Sequence, residues 1–166
     1  MSTTRQEDIK RIARQEQVLQ FSTFDKASAW VLGQRLKEAC EAAQVATTIE
    51  VRLNRETVFL YAMPGTAPNN AEWARRKRNV VEMMDHSSYA VGLAAEEEGV
   101  PLEVAMGLPA LDYAAHGGSF PINVRGVGCV GAVTVSGLPQ REDHTLVVEV
   151  LAGMCGIDLV EVALGA

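Results

Sequence analysis

Three stretches of this 166-residue chain carry residue types that bind or react. The first is NNAEWARRKRNVV, residues 69 to 81. At about 100° per residue, Asn70, Trp73, Lys77, Val80 and Met84 fall on one narrow helical stripe. Lys77 therefore shares a face with apolar residues, while Arg75 and Arg78 point elsewhere. An ammonium so placed either snorkels to water over its own stem or meets a carboxylate or phosphate of a ligand. The second stretch is His116-Gly117-Gly118, followed by Ser119-Phe120-Pro121. Two adjacent glycines are costly to order. They mark either a sharp corner before a strand or a backbone that runs against a ligand and offers it successive N–H groups. His116 is a candidate general base or axial metal ligand, with a plain loop histidine as the alternative. The third is SGLPQREDH, from Ser136 to His144, joining a strand to a helix. A helix N-terminus there suits an anion, but Asp143 reads first as the helix cap. Asp143 beside His144 is no dyad by adjacency alone.

Other chemistry finds no support. His86, His116 and His144 have no zinc spacing, so no metal is assigned. There is no P-loop and no G-x-S-x-G. The run GVGCVG at 126–131 matches a dinucleotide fingerprint but falls inside a strand, where that motif does not work. Whether a reaction is catalysed stays open.

The elements that position these residues follow from periodicity. Thr4 and Glu7 fit a capping box before a first helix, and a second helix starts at Asp25 and ends near Val45. Ile49, Val51 and Leu53 alternate with polar residues, a half-buried strand. Asn54-Arg55 makes a tight turn into Thr57 to Met63, which is apolar on both faces and reads as more central. Pro64-Gly65 stops it. A third helix, capped by Asn69 or Asn70, runs through Lys77 and on toward Glu98, with Gly99 ending it. A short helical turn is expected near Ala110 to Ala115. Phe120 to Val124 and Val127 to Ser136 form a second hairpin, in which Gly128 and Gly131 suggest close backbone approach. A final helix starts between Arg141 and Asp143, and an apolar tail follows. Short hairpin links demand antiparallel pairing. The fold class is α+β: an antiparallel sheet of about five strands covered by helices, one domain over residues 1–166.

Composition narrows the setting. The chain is 48% apolar and 22% charged, so it is neither disordered nor membrane-like. No apolar run is long enough to span a bilayer, and the charged N-terminus has no secretory h-region. A net charge of −6 argues against a general nucleic-acid surface. Cys40, Cys129 and Cys155 lack paired spacing and sit among apolar residues, as reduced thiols of a cytoplasmic protein do.

NNAEWARRKRNVV, then HSS at 86–88, then YAAHGGSFPINVRGVGCVGAVTVSGLPQREDH together resemble the haem-degrading-domain family of HbpS-like and GlcG-like proteins. The likeness runs from about residue 57 to 151 and is nearest a cytosolic branch with no established activity. The matched positions are Asn70, Trp73, Lys77, His116, Gly117, Gly118, Phe120, Pro121, Ser136, Gly137, Asp143 and His144. The resemblance implies a profilin-like fold, a ring-like homo-oligomer and, in some relatives, haem or iron binding. It leads to two expectations. One is a small-ligand site, for a tetrapyrrole or a small carboxylate, held by Lys77 and the glycine corner. The other is an oligomeric interaction protein with no ligand chemistry. An aromatic content of 5% is low for a haem crevice. Surplus apolar surface in VFLYAM and the tail, under a single helical layer, favours self-association, with the site near a subunit boundary.

Overall fold

The computed structural model describes residues 3–165. Met1, Ser2 and Ala166, which the one-domain expectation includes, lie outside the described residues. The order is α1 (Thr3–Val18), β1 (Gln20–Phe21), α2 (Lys26–Ala42), β2 (Thr48–Leu53), β3 (Glu56–Ala62) and α3 (Pro68–Met84). There follow α4 (Ser88–Glu98), α5 (Leu102–Met106), β4 (Ser119–Val124), β5 (Gly128–Ser136), α6 (Gln140–Cys155) and α7 (Leu159–Val162).

The five strands form one sheet in the order β1-β4-β5-β2-β3. All neighbours are antiparallel except the two-residue β1, which pairs parallel to β4 and was not foreseen. Side chains alternate between the two faces of each strand. Ile49, Val51, Phe120, Ile122, Val133 and Val135 share one face and pack under Leu32 and Leu36 of α2 and Val147 and Leu151 of α6. The opposite face, with Glu50, Ser119 and Thr134, lies under α3. That layer is polar and ion-paired. Arg78 donates to both oxygens of Glu50 at 3.0 and 3.1 Å, and Arg52 pairs with Glu82 at 2.8 Å. Helix α1 packs on α4 and α7, burying Ile12 against Tyr89 and Leu93.

Several expectations need correction. β2 is central and buried on both faces, whereas β3 is the edge strand with Leu60 exposed. Its apolar residues suggested the reverse, because polar side chains on β2 find partners on α3 instead of water. The strands β2, β4 and β5 have helices on both faces, and the uncovered face is confined to the edge strand β3, where Leu60 is exposed. Thr4 lies within α1 and is not its cap. Asn70 is no cap either: α3 begins at Pro68, and Asn70 Oδ1 accepts the Ala67 N–H at 2.9 Å from the third position. The long third helix is two helices. Asp85 closes α3 in a left-handed conformation (φ 55°), and Ser87 caps α4 by accepting the Ala90 N–H. Gly131 has its expected close approach, since a Cβ there would lie 2.0 Å from the Arg52 carbonyl oxygen. Gly128 does not; its space is open, and it serves the turn through φ +105°.

Asn54 and Arg55 both adopt positive φ, as a two-residue hairpin turn requires. All three cysteines are free, Cys40 buried and the other two half-buried. Among the described residues no helix is long and apolar enough to cross a membrane.

Candidate functional site

The first turn of α3, the corner at His116 and the start of α6 enclose a cavity of about 290 Å³. Asn69, Asn70, Trp73, Lys77, His116, Ser136, Gly137, Leu138 and Gln140 line it. Lys77 sits at its floor, 4% exposed, because the stripe that carries Trp73 and Val80 turns it inward. Its Nζ donates to Asp143 Oδ2 at 2.8 Å.

Asp143 has no exposure at all. It is not the cap of α6. Pro139 holds that position without a side-chain hydrogen bond, and Asp143 reaches back from the first turn in its stead. It accepts the N–H of Leu138 at 3.0 Å and of Gly137 at 3.4 Å. Burial raises its carboxyl above the ordinary range, opposed by the Lys77 ammonium and those two amides.

The two glycines answer to packing. A Cβ on Gly117 would lie 2.3 Å from the Gln140 carbonyl oxygen. Gly118 has φ +135°, and a Cβ there would lie 2.4 Å from the Val135 carbonyl oxygen and 2.9 Å from Lys77 Nζ. The corner thus closes directly over the ion pair, which requires the absence of side chains. Gly117 donates its N–H to Gln140 Oε1 at 3.1 Å, so that amide is not free for an anion. His116 is exposed at the rim, its ring edge-on to Trp73 with centroids 5.6 Å apart. The Arg76 guanidinium covers the Trp73 ring at 4.6 Å.

These bonds decide the polarity of the cavity. The acceptor oxygen of Asn70 is occupied by Ala67 N–H, and that of Gln140 by Gly117 N–H. Those contacts fix the orientation of each amide and leave its NH₂ group, with one lone pair of its oxygen, for a ligand. With the Lys77 ammonium, these two NH₂ groups give the lining a set of side-chain donors. Asn69, Leu138 and Gln140 were not singled out from sequence. Gln140 had a signal, standing inside SGLPQREDH, but its role depends on a contact across 23 residues.

Two candidates are not brought to the cavity. Phe120 is wholly buried in the core under α6. His144 is buried on the other side of the helix, tilted against Tyr89 and Phe120. Its Nε2 lies 2.7 Å from Gln15 Oε1, which makes Nε2 the protonated nitrogen, and Gln15 Nε2 donates to the Val162 carbonyl at 2.7 Å. Burial pushes the imidazole down to about 3, so it stays neutral. His144 therefore ties α1 to α6 and α7. Gly117, Gly118 and Asp143 stand beneath the cavity and support it.

The basic run is also accounted for. Arg75 pairs with Asp112 and Glu72, Arg76 donates to the Ala110 carbonyl, Lys77 meets Asp143 and Arg78 meets Glu50. Each cation is committed within the chain.

The family model described as haem degrading protein HbpS-like matches residues 24–152, well over half of the chain. The chain belongs to this family. The HbpS-like chain is 59% identical over 157 residues to a UPF0303 protein of Azotobacter vinelandii, covering 95% of each. It is 48% identical over 153 residues to one of Serratia proteamaculans, covering 92% of this chain and 95% of the relative. Among solved structures, the Ybr137w protein superposes with a TM-score of 0.79 at 25% identity, over 89% of this chain and 87% of that one. HbpS gives 0.65 at 16% identity, over 81% and 92%. A PduOC:Heme complex gives 0.65 at 16%, over 78% and 92%. The last two likenesses are those of fold.

Proposed function

We propose that this HbpS-like chain is a cytoplasmic small-ligand-binding protein whose donor-lined cavity takes a small oxyanion, a carboxylate first of all, and that it works as a homo-oligomer. The observation that carries the reading is the orientation of the two amides. With Asn70 Oδ1 and Gln140 Oε1 engaged by backbone N–H groups, the cavity presents NH₂ groups beside a buried ammonium. Such groups reward a ligand made of acceptors. Asp143 does not spoil this, because it lies beneath the floor and its charge is balanced by Lys77.

Haem does not fit here. About 290 Å³ of polar space lacks the broad apolar walls that a macrocycle needs, and no carboxylate orients His116. A second reading, an oligomeric interaction protein without ligand chemistry, draws support from exposed Leu60, Leu111 and Val127.

Calorimetric titration with glycolate, pyruvate and malonate tests the proposal. The decisive variants are Asn70→Asp and Gln140→Glu. Each keeps the oxygen that accepts the backbone N–H and replaces the NH₂ with a second oxygen. Carboxylate binding should drop at least about tenfold in each, the scale of one lost charge-assisted hydrogen bond. Saturable heats that these variants leave unchanged, or no heats with any carboxylate, would overturn it.

A further inference from the structure

Of the 15 basic side chains only four are lysines. Lys10, Lys26 and Lys37 lie toward the surface, the last two paired with Glu56 and Glu41. Lys77 alone among the lysines is buried, and it lines the cavity beside Asn70 and Gln140. Elsewhere the chain builds its partly buried ion pairs with arginine: Arg52 with Glu82, Arg78 with Glu50 and Arg141 with Asp8. Arginine suits a purely structural pair, because its fork binds both carboxylate oxygens and never gives up its proton. Lysine presents a single nitrogen that becomes nucleophilic once burial and a base remove its proton.

Asp143 supplies the place for that proton. It lies 2.8 Å from Lys77 Nζ, fully buried beneath the cavity and absent from its lining, so a ligand meets the amine before the acid. Burial disfavours both charges of the pair. Moving one proton from Lys77 to Asp143 leaves two neutral groups, which costs less here than in water. The raised carboxyl of Asp143 acts in the same direction, against the two amides that favour its charged form. Gly118 leaves room for the nitrogen, since a Cβ there would lie 2.9 Å from Nζ. Ser136 is 3% exposed and lines the same cavity, and its hydroxyl has no hydrogen-bond partner among the described residues. It is a free donor for an oxygen on which charge develops.

We infer that Lys77 forms a reversible Schiff base with a small 2-oxo acid in this cavity, with Asp143 as its proton shuttle. This chemistry rests on the carboxylate reading and narrows the ligand to acids that carry a carbonyl beside the carboxylate. The NH₂ groups of Asn70 and Gln140 hold the carboxylate. Lys77 passes one proton to Asp143. The Nζ lone pair then forms a bond to the carbonyl carbon, and the C=O π pair moves to the oxygen, to which Ser136 donates. A proton passes from nitrogen to that oxygen. Asp143 returns its proton to the resulting hydroxyl, which leaves as water while the nitrogen lone pair forms C=N. The product is an iminium beside an ionised Asp143. The pair keeps its net charge, and nothing is oxidised or reduced.

Reductive trapping of the wild-type chain with pyruvate and cyanoborohydride, read by intact mass and peptide mapping, tests this. One adduct per chain should form at Lys77 and saturate with pyruvate. Whichever of malonate and glycolate gives calorimetric heats should suppress it, since neither carries a ketone. Lys10, Lys26 and Lys37 are internal controls, labelled slowly and without saturation. Asp143→Asn, checked for an unchanged circular dichroism spectrum, should trap at least about a hundredfold more slowly, the lower end of what a positioned proton-transfer group supplies. Lys77→Arg keeps a cation against Asp143 and loses the amine, so it should bind pyruvate by calorimetry and give no adduct. Pyruvate heats without an adduct at Lys77, or labelling there no faster than at the surface lysines, would overturn the Schiff base and leave the carboxylate reading standing. A trapping rate unchanged in Asp143→Asn would remove the shuttle. An absence of heats with every carboxylate would remove both readings.

Discussion

At the scale of single residues, a buried ion pair and a buried imidazole act on stability in different ways. Lys77 and Asp143 pair at 2.8 Å out of solvent. Replacing one partner strands the other, at a cost of about 3–5 kcal/mol. Lys77→Met should therefore lower stability in urea denaturation by that amount, since burial already raises Asp143 and would then act without the opposing cation. Lys77→Met/Asp143→Asn should recover part of the loss. Equal losses in the single and double variants would deny the coupling. His144 behaves differently. Its folded pKa is pushed to about 3 from an ordinary 6.5, so between those values the unfolded chain binds a proton that the folded chain refuses. Stability from this group is complete above about pH 6.5 and is lost as pH falls toward 3, at about 1.4 kcal/mol per pH unit. His144→Gln keeps a polar partner for Gln15 and removes the titration. The wild type should lose its advantage over this variant as pH drops through that window; parallel profiles would show that His144 titrates normally.

At the scale of elements, the glycines separate by their neighbours. Gly118 combines φ +135° with a Cβ position blocked by backbone and by Lys77 Nζ. Gly118→Ala should destabilise by well over about 1 kcal/mol, because neither strain nor clash has a cheap relief. Gly153 lies within α6 with open space around its Cβ position. There alanine should stabilise by about 0.5–1 kcal/mol through helix propensity alone. The pair of thermal melts checks that the corner, and not glycine content in general, holds the fold around the ion pair. Equal shifts in the two variants would refute this. The break between α3 and α4 belongs to this scale as well. Asp85 and Ser87 end one helix and start the next, which turns α4 toward α1 and presents His86 to Glu16.

At the scale of the molecule, helices cover both faces of β2, β4 and β5, so the bare part of the sheet is the outer face of the edge strand β3. The remaining apolar exposure lies on the edge and the loops. Leu60 on β3 is 63% exposed and Val127 in the β4–β5 turn is 72% exposed. β3 also presents the unpaired edge of a seven-residue strand. Light scattering coupled to size exclusion should give a multiple of 17.9 kDa, and Leu60→Lys should reduce it. A wild-type mass of 17.9 kDa would overturn the oligomer.

The sequence by itself determined the two hairpins and the first, second and last long helices around them, because periodicity and the Asn54-Arg55 turn act over a few residues. It also placed Lys77 on an inward stripe, since helix geometry alone turns that side chain toward Trp73 and Val80. Tertiary structure decided the rest. Which strand is central depends on β2 pairing with β5, more than 80 residues onward, where Thr48 meets Ser136. The polar face of β2 looks solvent-facing in one dimension and is buried in three, because α3 brings Arg78 to Glu50 and Glu82 to Arg52. The partner of Lys77 lies 66 residues away. Asp143 reads as a cap from its neighbours, and becomes the counter-ion of a buried lysine only when α3 and α6 meet around the glycine corner. Local rules set where a side chain points; the long-range pairing of strands and helices sets what it meets there.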